Sequence, residues 1–155
     1  MGAVSNRLDP ALSWLRIDLS PRHRPPTAGR VAVATVAALV GSLLADAALV
    51  ALGTRVFPST RGYVHFRFSD YGKLTVIGVI VACMAWPVVT RICRDPRWLF
   101  LRLAVLVTVV LLLPDLYLIL KGQPHEAVAI LVCMHLAIAL VTYNCLVRIA
   151  DVRRF

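Results

Sequence analysis

Four long apolar blocks, Val31–Leu52, Leu74–Val89, Leu103–Leu120 and Ala127–Val147, decide what this chain can fold into. They run for 22, 16, 18 and 21 residues and hold about half of the 155. At the helical rise they give roughly 24 to 33 Å of helix, the thickness of a bilayer core. With 59% hydrophobic residues, 16% charged residues and a mean hydropathy of +0.78, an ordinary soluble fold is excluded. The expected class is all-α: a polytopic membrane protein built as a four-transmembrane-helix bundle. Residues 1–29 form a basic tail, 30–150 the membrane domain and 151–155 a short C-terminal tail.

The net charge of +9 comes from 15 Arg and 2 Lys against 8 acids. In a soluble protein that balance suggests nucleic acid, but topology accounts for it here. The N-terminal tail, the second connection and the C-terminal tail carry 12 basic residues, and the first and third connections carry 5. The positive-inside rule then places both termini in the cytoplasm of a bacterial plasma membrane. Basic residues beside the bilayer attract anionic lipid headgroups, so no nucleic-acid partner is called for.

Cys83, Cys93, Cys133 and Cys145 lie in or beside the spans and form no C-x-x-C pair; they read as buried apolar residues, not as a redox motif. The N-terminal tail lacks the pattern of a cleaved signal peptide. Asp9-Pro10 can start a short helix with Leu8, Leu12, Leu15 and Leu19 on one face and Trp14 near its edge, suited to the membrane interface. Pro21–Pro26 stops it and leads, extended and basic, into the first span.

The first span carries Ala34, Ala37, Ala38, Gly41, Ala45 and Ala48. Such a series lets helices approach closely, and it points to packing on a neighbour or on a second copy of the chain, a homodimer or a larger membrane complex. The longest connection, Gly53–Lys73, contains Tyr63–Asp70, where Val64, Phe66 and Phe68 alternate as in a strand-like interfacial segment. Asp70 is placed to cap the second span, and Arg61 and Arg67 are candidates to contact anions or lipid headgroups. Asp95-Pro96 breaks the chain before Trp98, and Gly122-Gln-Pro124 makes the turn into the last span.

Ionisable groups inside a span cost about 2.5 to 3.5 kcal/mol each on insertion scales, so they face protein or water. This chain has Asp46, Asp115 and His135, about 8 to 12 Å below the far ends of their blocks at the helical rise. Thr35, Ser42 and Asp46 share one helix face, as do Thr108 and Asp115, and His135 and Thr142. If the three polar stripes converge, two carboxylates and an imidazole meet in the outer half, with Ser42, Thr108 and Thr142 below them. Such a site serves as a proton relay or cation site, or it locks the helices together. Pro114 removes a backbone hydrogen bond and can free a carbonyl to join it. Tyr143 and Asn144 suit interfacial anchoring and interhelical bonding.

Catalytic and metal chemistry find little support. His125 and His135, ten residues apart on one helix, differ by about 15 Å in height, too far to share an ion. Only one histidine is embedded as a haem ligand would be, and there is no phosphate loop, no G-x-S-x-G and no nucleophile-base pair. No cofactor is expected.

The stretches Asp70-Tyr-Gly-Lys-Leu-Thr-Val-Ile-Gly-Val-Ile-Val-Ala, Leu111-Leu-Leu-Pro-Asp-Leu-Tyr-Leu and Met134-His-Leu-Ala-Ile-Ala resemble a family of small actinobacterial four-helix membrane proteins of unknown function. The resemblance covers residues from about 30 to 150. It implies four spans and places Asp115 and His135 in the shared pattern; it implies no activity. The leading functional expectation is a non-enzymatic accessory or scaffolding subunit whose basic tail binds anionic lipid or a partner. The alternative is a proton-coupled carrier of a small or cationic solute using Asp46, Asp115 and His135. A third reading is a lipid-acting enzyme with His135 and Asp115 near Arg61 or Arg67.

Overall fold

The chain is seen in a computed structural model that describes residues 23–154. Four helices account for most of them: α1 (Ala28–Val56), α2 (Phe68–Ile92), α3 (Pro96–Leu120) and α4 (His125–Ile149). Each is long and apolar enough to cross a membrane. Among the described residues the only strand pairing is a two-residue antiparallel ribbon, β1 (His23–Arg24) with β2 (Arg153–Arg154). The fold is thus all-α, a four-helix bundle. The amphipathic segment around Leu8, Leu12, Trp14, Leu15 and Leu19 lies outside the described residues.

The helices extend past the apolar blocks, because hydropathy marks immersion in lipid whereas helix ends are set by caps and breakers. Thr27 caps α1, accepting from the Arg30 amide at 3.5 Å. The second helix begins at Phe68, six residues before its apolar block, so Asp70 sits inside the first turn and does not cap it. The strand-like reading of Tyr63–Asp70 is also corrected. Val64–Phe66 is a turn of 3₁₀ helix after another at Pro58–Thr60, and Tyr63 packs edge-on against both His65 and Phe66. Pro96 opens α3 directly after Asp95. At its far end the Gly122 amide bonds the Ile119 carbonyl at 2.9 Å and the Gln123 amide bonds the Leu118 carbonyl at 3.1 Å. That double closure needs the left-handed φ of 76° that Gly122 supplies.

In the bundle α1, α2, α3 and α4 follow one another around a ring, and α4 returns to pack most extensively on α1. α2 and α4 also meet across the short diagonal, which holds α1 and α3 apart. The small-residue face of α1 is spent on α4: a Cβ at Gly41 would lie 2.9 Å from Val141 Cγ1, and one at Gly53 2.3 Å from Ile130 Cδ1. Ala34, Ala38, Ser42 and Asp46, four residues apart, are buried on that side. The close approach therefore lies within one chain.

Two apolar cores result. Near the termini, Trp86 packs edge-on against Phe100, which stacks on Tyr143, with Val79, Val89 and Leu146 around them. Toward the far end, Ile130, Leu131 and Met134 are covered by Leu49, Tyr63, Phe66, Tyr71 and Leu118. The polar residues of the spans lie between. Cys83 and Cys93 are buried as expected of apolar thiols, but Cys133 is exposed on the bundle surface, and all four cysteines are free.

Candidate functional site

Each helix contributes one or two polar side chains to the layer between the cores, and the ring order of the helices decides which ones meet. Asp46, fully buried on α1, accepts a hydrogen bond from the Thr75 hydroxyl of α2 at 2.6 Å. One turn away on the same face of α1, the Ser42 and Thr142 hydroxyls lie 3.5 Å apart, joining α1 to α4. Across the bundle, Asp115 of α3 is buried against His135 of α4, with Nδ1 and Oδ2 3.0 Å apart. The same Nδ1 lies 3.0 Å from the Leu131 carbonyl of its own helix.

Every pair of neighbours around α4 and α1 is thus bridged by a polar contact, but the three ionisable residues do not collapse into one cluster. α1 and α3 occupy opposite corners, so Asp46 and Asp115 are separated by the helix that bears His135. His135 stands within Coulombic reach of both carboxylates. Among the described residues no three His, Cys, Asp or Glu side chains are grouped to hold a metal ion.

Asp46 Oδ1 in this layer and the Tyr63 hydroxyl over the far core are buried with no hydrogen-bond partner among the described residues, and Asp115 Oδ2 has only its 3.0 Å ion-pair contact with His135. Tyr63 comes from the connection between α1 and α2 and lies within Coulombic reach of Asp115, as does His65. Burial, and then the negative charge of Asp115, raise the Tyr63 phenol above its ordinary value of 10.0. Orphaned buried oxygens are uncommon, and in a dry interior each is a place where a proton, a water or a small cation gains most.

Other expected members lie elsewhere. Thr108 turns back to the Ala104 carbonyl of its own helix at 2.8 Å, as Thr35 does to Val31 at 2.9 Å. Asn144 does the same, donating to Leu140 at 2.8 Å, so it makes no interhelical bond there. Pro114 is exposed, and the residue one turn before it, Val110, is 52% exposed. The carbonyl that Pro114 frees thus lies on the outer surface of α3, away from the polar layer. Arg61 reaches the Thr54 carbonyl at the end of α1 at 3.4 Å, and Arg67 precedes α2 as an exposed residue.

Thr75 is the functional neighbour that sequence reading missed. Thr75 is the second residue of the apolar block Leu74–Val89, where a threonine carries no signal of burial. With α2 beginning at Phe68, it lies two turns inside the helix and faces Asp46.

Residues 21–151 match a family of unknown function, DUF6069. The chain belongs to that family. No curated protein and no solved structure matches the chain. For this DUF6069 member, then, the arrangement of the polar layer is the main guide to function. The matched region takes in all four helices and every residue of that layer, and it begins just before β1.

Proposed function

We propose that this protein is a small, non-enzymatic accessory or scaffolding subunit of a bacterial plasma-membrane complex of actinobacterial type. Both termini face the cytoplasm, and the basic terminal face rests on anionic lipid. The observation that carries this reading is the pairing of the polar layer: Asp46 with Thr75, Ser42 with Thr142, and Asp115 with His135 each join two neighbouring helices. Polar side chains used this way fix which helices are neighbours, and in lipid, where apolar faces do not drive association, that is what a rigid scaffold requires. The test is to express the tagged protein at native level and resolve mild-detergent extracts by native electrophoresis. It is expected to migrate in an assembly with other proteins, and Asp46→Asn and Asp115→Asn should reduce that assembly with little dependence on pH. A homo-oligomer alone, unaffected by either change, would overturn the reading.

One observation favours a second reading, a proton-coupled carrier of a small or cationic solute. His135 contacts Asp115 and lies within Coulombic reach of Asp46, whose Oδ1 has no partner among the described residues, an order of groups that a proton relay uses. In proteoliposomes this predicts solute-dependent proton flux, abolished in folded Asp46→Asn and Asp115→Asn proteins. Absence of flux across a panel of small cations leaves the scaffold reading standing.

A further inference from the structure

The far ends of α1 and α4 frame a groove of about 210 Å³, lined by Leu49, Leu52, Gly53 and Phe57 on one side and by Ala129, Ile130 and Cys133 on the other. Its lining is almost wholly apolar, and it opens sideways from the bundle. The lining covers the last turns of α1 and the first turns of α4, a depth of roughly 12 Å at the helical rise. In a chain that spans a membrane this is the depth of one leaflet's acyl chains. At its floor Ile130 packs onto the bare backbone of Gly53, where a side chain would otherwise stand, so the two helices approach closely beneath the groove.

The rim is charged. The Arg61 Nε donates to the Thr54 carbonyl, which anchors the guanidinium over the end of α1, one residue past the groove floor. Arg61 is exposed, and among the described residues its terminal nitrogens have no hydrogen-bond or ion-pair partner. Arg55, also exposed, lies in the last turn of α1. A planar guanidinium above an apolar slot matches a phosphodiester carrying an acyl chain.

We propose that this groove is a binding site for one phospholipid of the leaflet opposite the termini, with an acyl chain between α1 and α4 and its phosphate on Arg61. Charge complementarity at the rim and apolar lining below belong to the same ligand, so the two halves of the site are energetically coupled. A lipid that merely coats the bundle has no such coupling.

The test uses the full-length protein in detergent, titrated with phosphatidylglycerol and read by native mass spectrometry. One lipid per chain should survive at the lowest lipid concentrations. Ala129→Phe fills the groove from an exposed position, and Arg61→Gln removes the phosphate contact; each should weaken retention by about tenfold. The double variant should bind no more weakly than Ala129→Phe alone, because both changes act on one ligand. Leu44→Phe on the outer face of α1 and Lys121→Gln at the same end of the bundle should leave retention unchanged. Should Ala129→Phe fail to fold, Cys133→Phe closes the same groove. Equal losses in Leu44→Phe and Ala129→Phe would mean coating lipid only and overturn the proposal, as would retention indifferent to Arg61→Gln.

Discussion

At the scale of single residues, Asp46 is the side chain whose surroundings are most demanding. It is fully buried, its Oδ2 is held by the Thr75 hydroxyl at 2.6 Å, and its Oδ1 has no partner among the described residues. Thr75→Val removes the one donor to Asp46 among the described residues and leaves its carboxyl unpartnered there, at a cost of about 1.5 to 3 kcal/mol for a bond to a charged acceptor. Thr142→Val disturbs only the long 3.5 Å contact with Ser42 and should cost about 1 kcal/mol or less. Thermal unfolding of the two variants in the same detergent checks the order. Adding Asp46→Leu to Thr75→Val should restore much of the loss, because it removes the stranded group. Tyr63 gives a second prediction, and its sign follows from burial. The phenol's value in the folded protein lies above the ordinary 10.0 that it has in the unfolded chain. Packing of the α1–α2 connection therefore contributes stability that is complete below pH 10 and lost as pH rises past the raised value. Protease resistance of that connection should fall at alkaline pH in the parent chain and persist to higher pH in Tyr63→Phe. The two residues differ in how visible they were. Asp46 stands out in sequence because a carboxylate inside an apolar run is costly. A phenol or a threonine at the edge of a run costs little wherever it points, so Tyr63 and Thr75 carried no comparable signal.

Among the elements, α3 is the one held most lightly. Its buried residues are Pro96, Phe100 and Asp115, and valines and leucines cover the rest of its surface. A helix apolar all round is at home in lipid, so its position is set by a few contacts. Phe100 is gripped between Trp86 and Tyr143 near the termini, and Asp115 meets His135 toward the far end. His135→Ala should release the far half alone. Hydrogen exchange in nanodiscs should show lost protection over 111–120 and unchanged protection over 96–104. Uniform loss along α3, or none, would show that the pair does not position it. The existence of all four helices was legible because apolar runs of this length have few other uses. Their ends were not legible, since Ser69–Lys73 is polar yet helical, and the alternation of Val64, Phe66 and Phe68 marks no common face: Val64–Phe66 turn as 3₁₀ helix, Phe66 packs on α4, and Val64 and Phe68 are exposed. The small residues of α1 announced a close approach but not its partner. That partner is α4, and only the order of helices around the ring decides it.

The whole molecule is asymmetric from one end to the other. At the terminal face Arg30 donates to the Ile149 carbonyl at 2.8 Å and the Asp151 carbonyl at 3.4 Å, closing the C-terminus of α4 with a cation where the helix dipole favours one. The Trp86 indole donates to the Ala150 carbonyl at 2.9 Å, Arg97 pairs with Asp151, and the ribbon of His23–Arg24 with Arg153–Arg154 ties the two tails together. That face thus holds both tails in one place, surrounded by Arg91, Arg94, Arg102 and Arg148, whereas the opposite face bears Arg55, Arg61, Arg67, Lys73 and Lys121. The proposed orientation rests on this difference, because basic residues near a span resist translocation and are drawn to an anionic inner leaflet. The polar layer, with Asp115 and His135, is displaced toward the less basic end, the end that the proposed orientation places outside. Orientation is therefore the property on which both functional readings depend. It is checked in a chain with its native cysteines replaced by alanine and a single new one introduced, as Ser59→Cys or Arg94→Cys, both at exposed positions. A membrane-impermeant maleimide should label Ser59→Cys in intact cells and Arg94→Cys only after the membrane is opened. The reverse pattern would place the termini outside, and the phospholipid groove would then open into the inner leaflet.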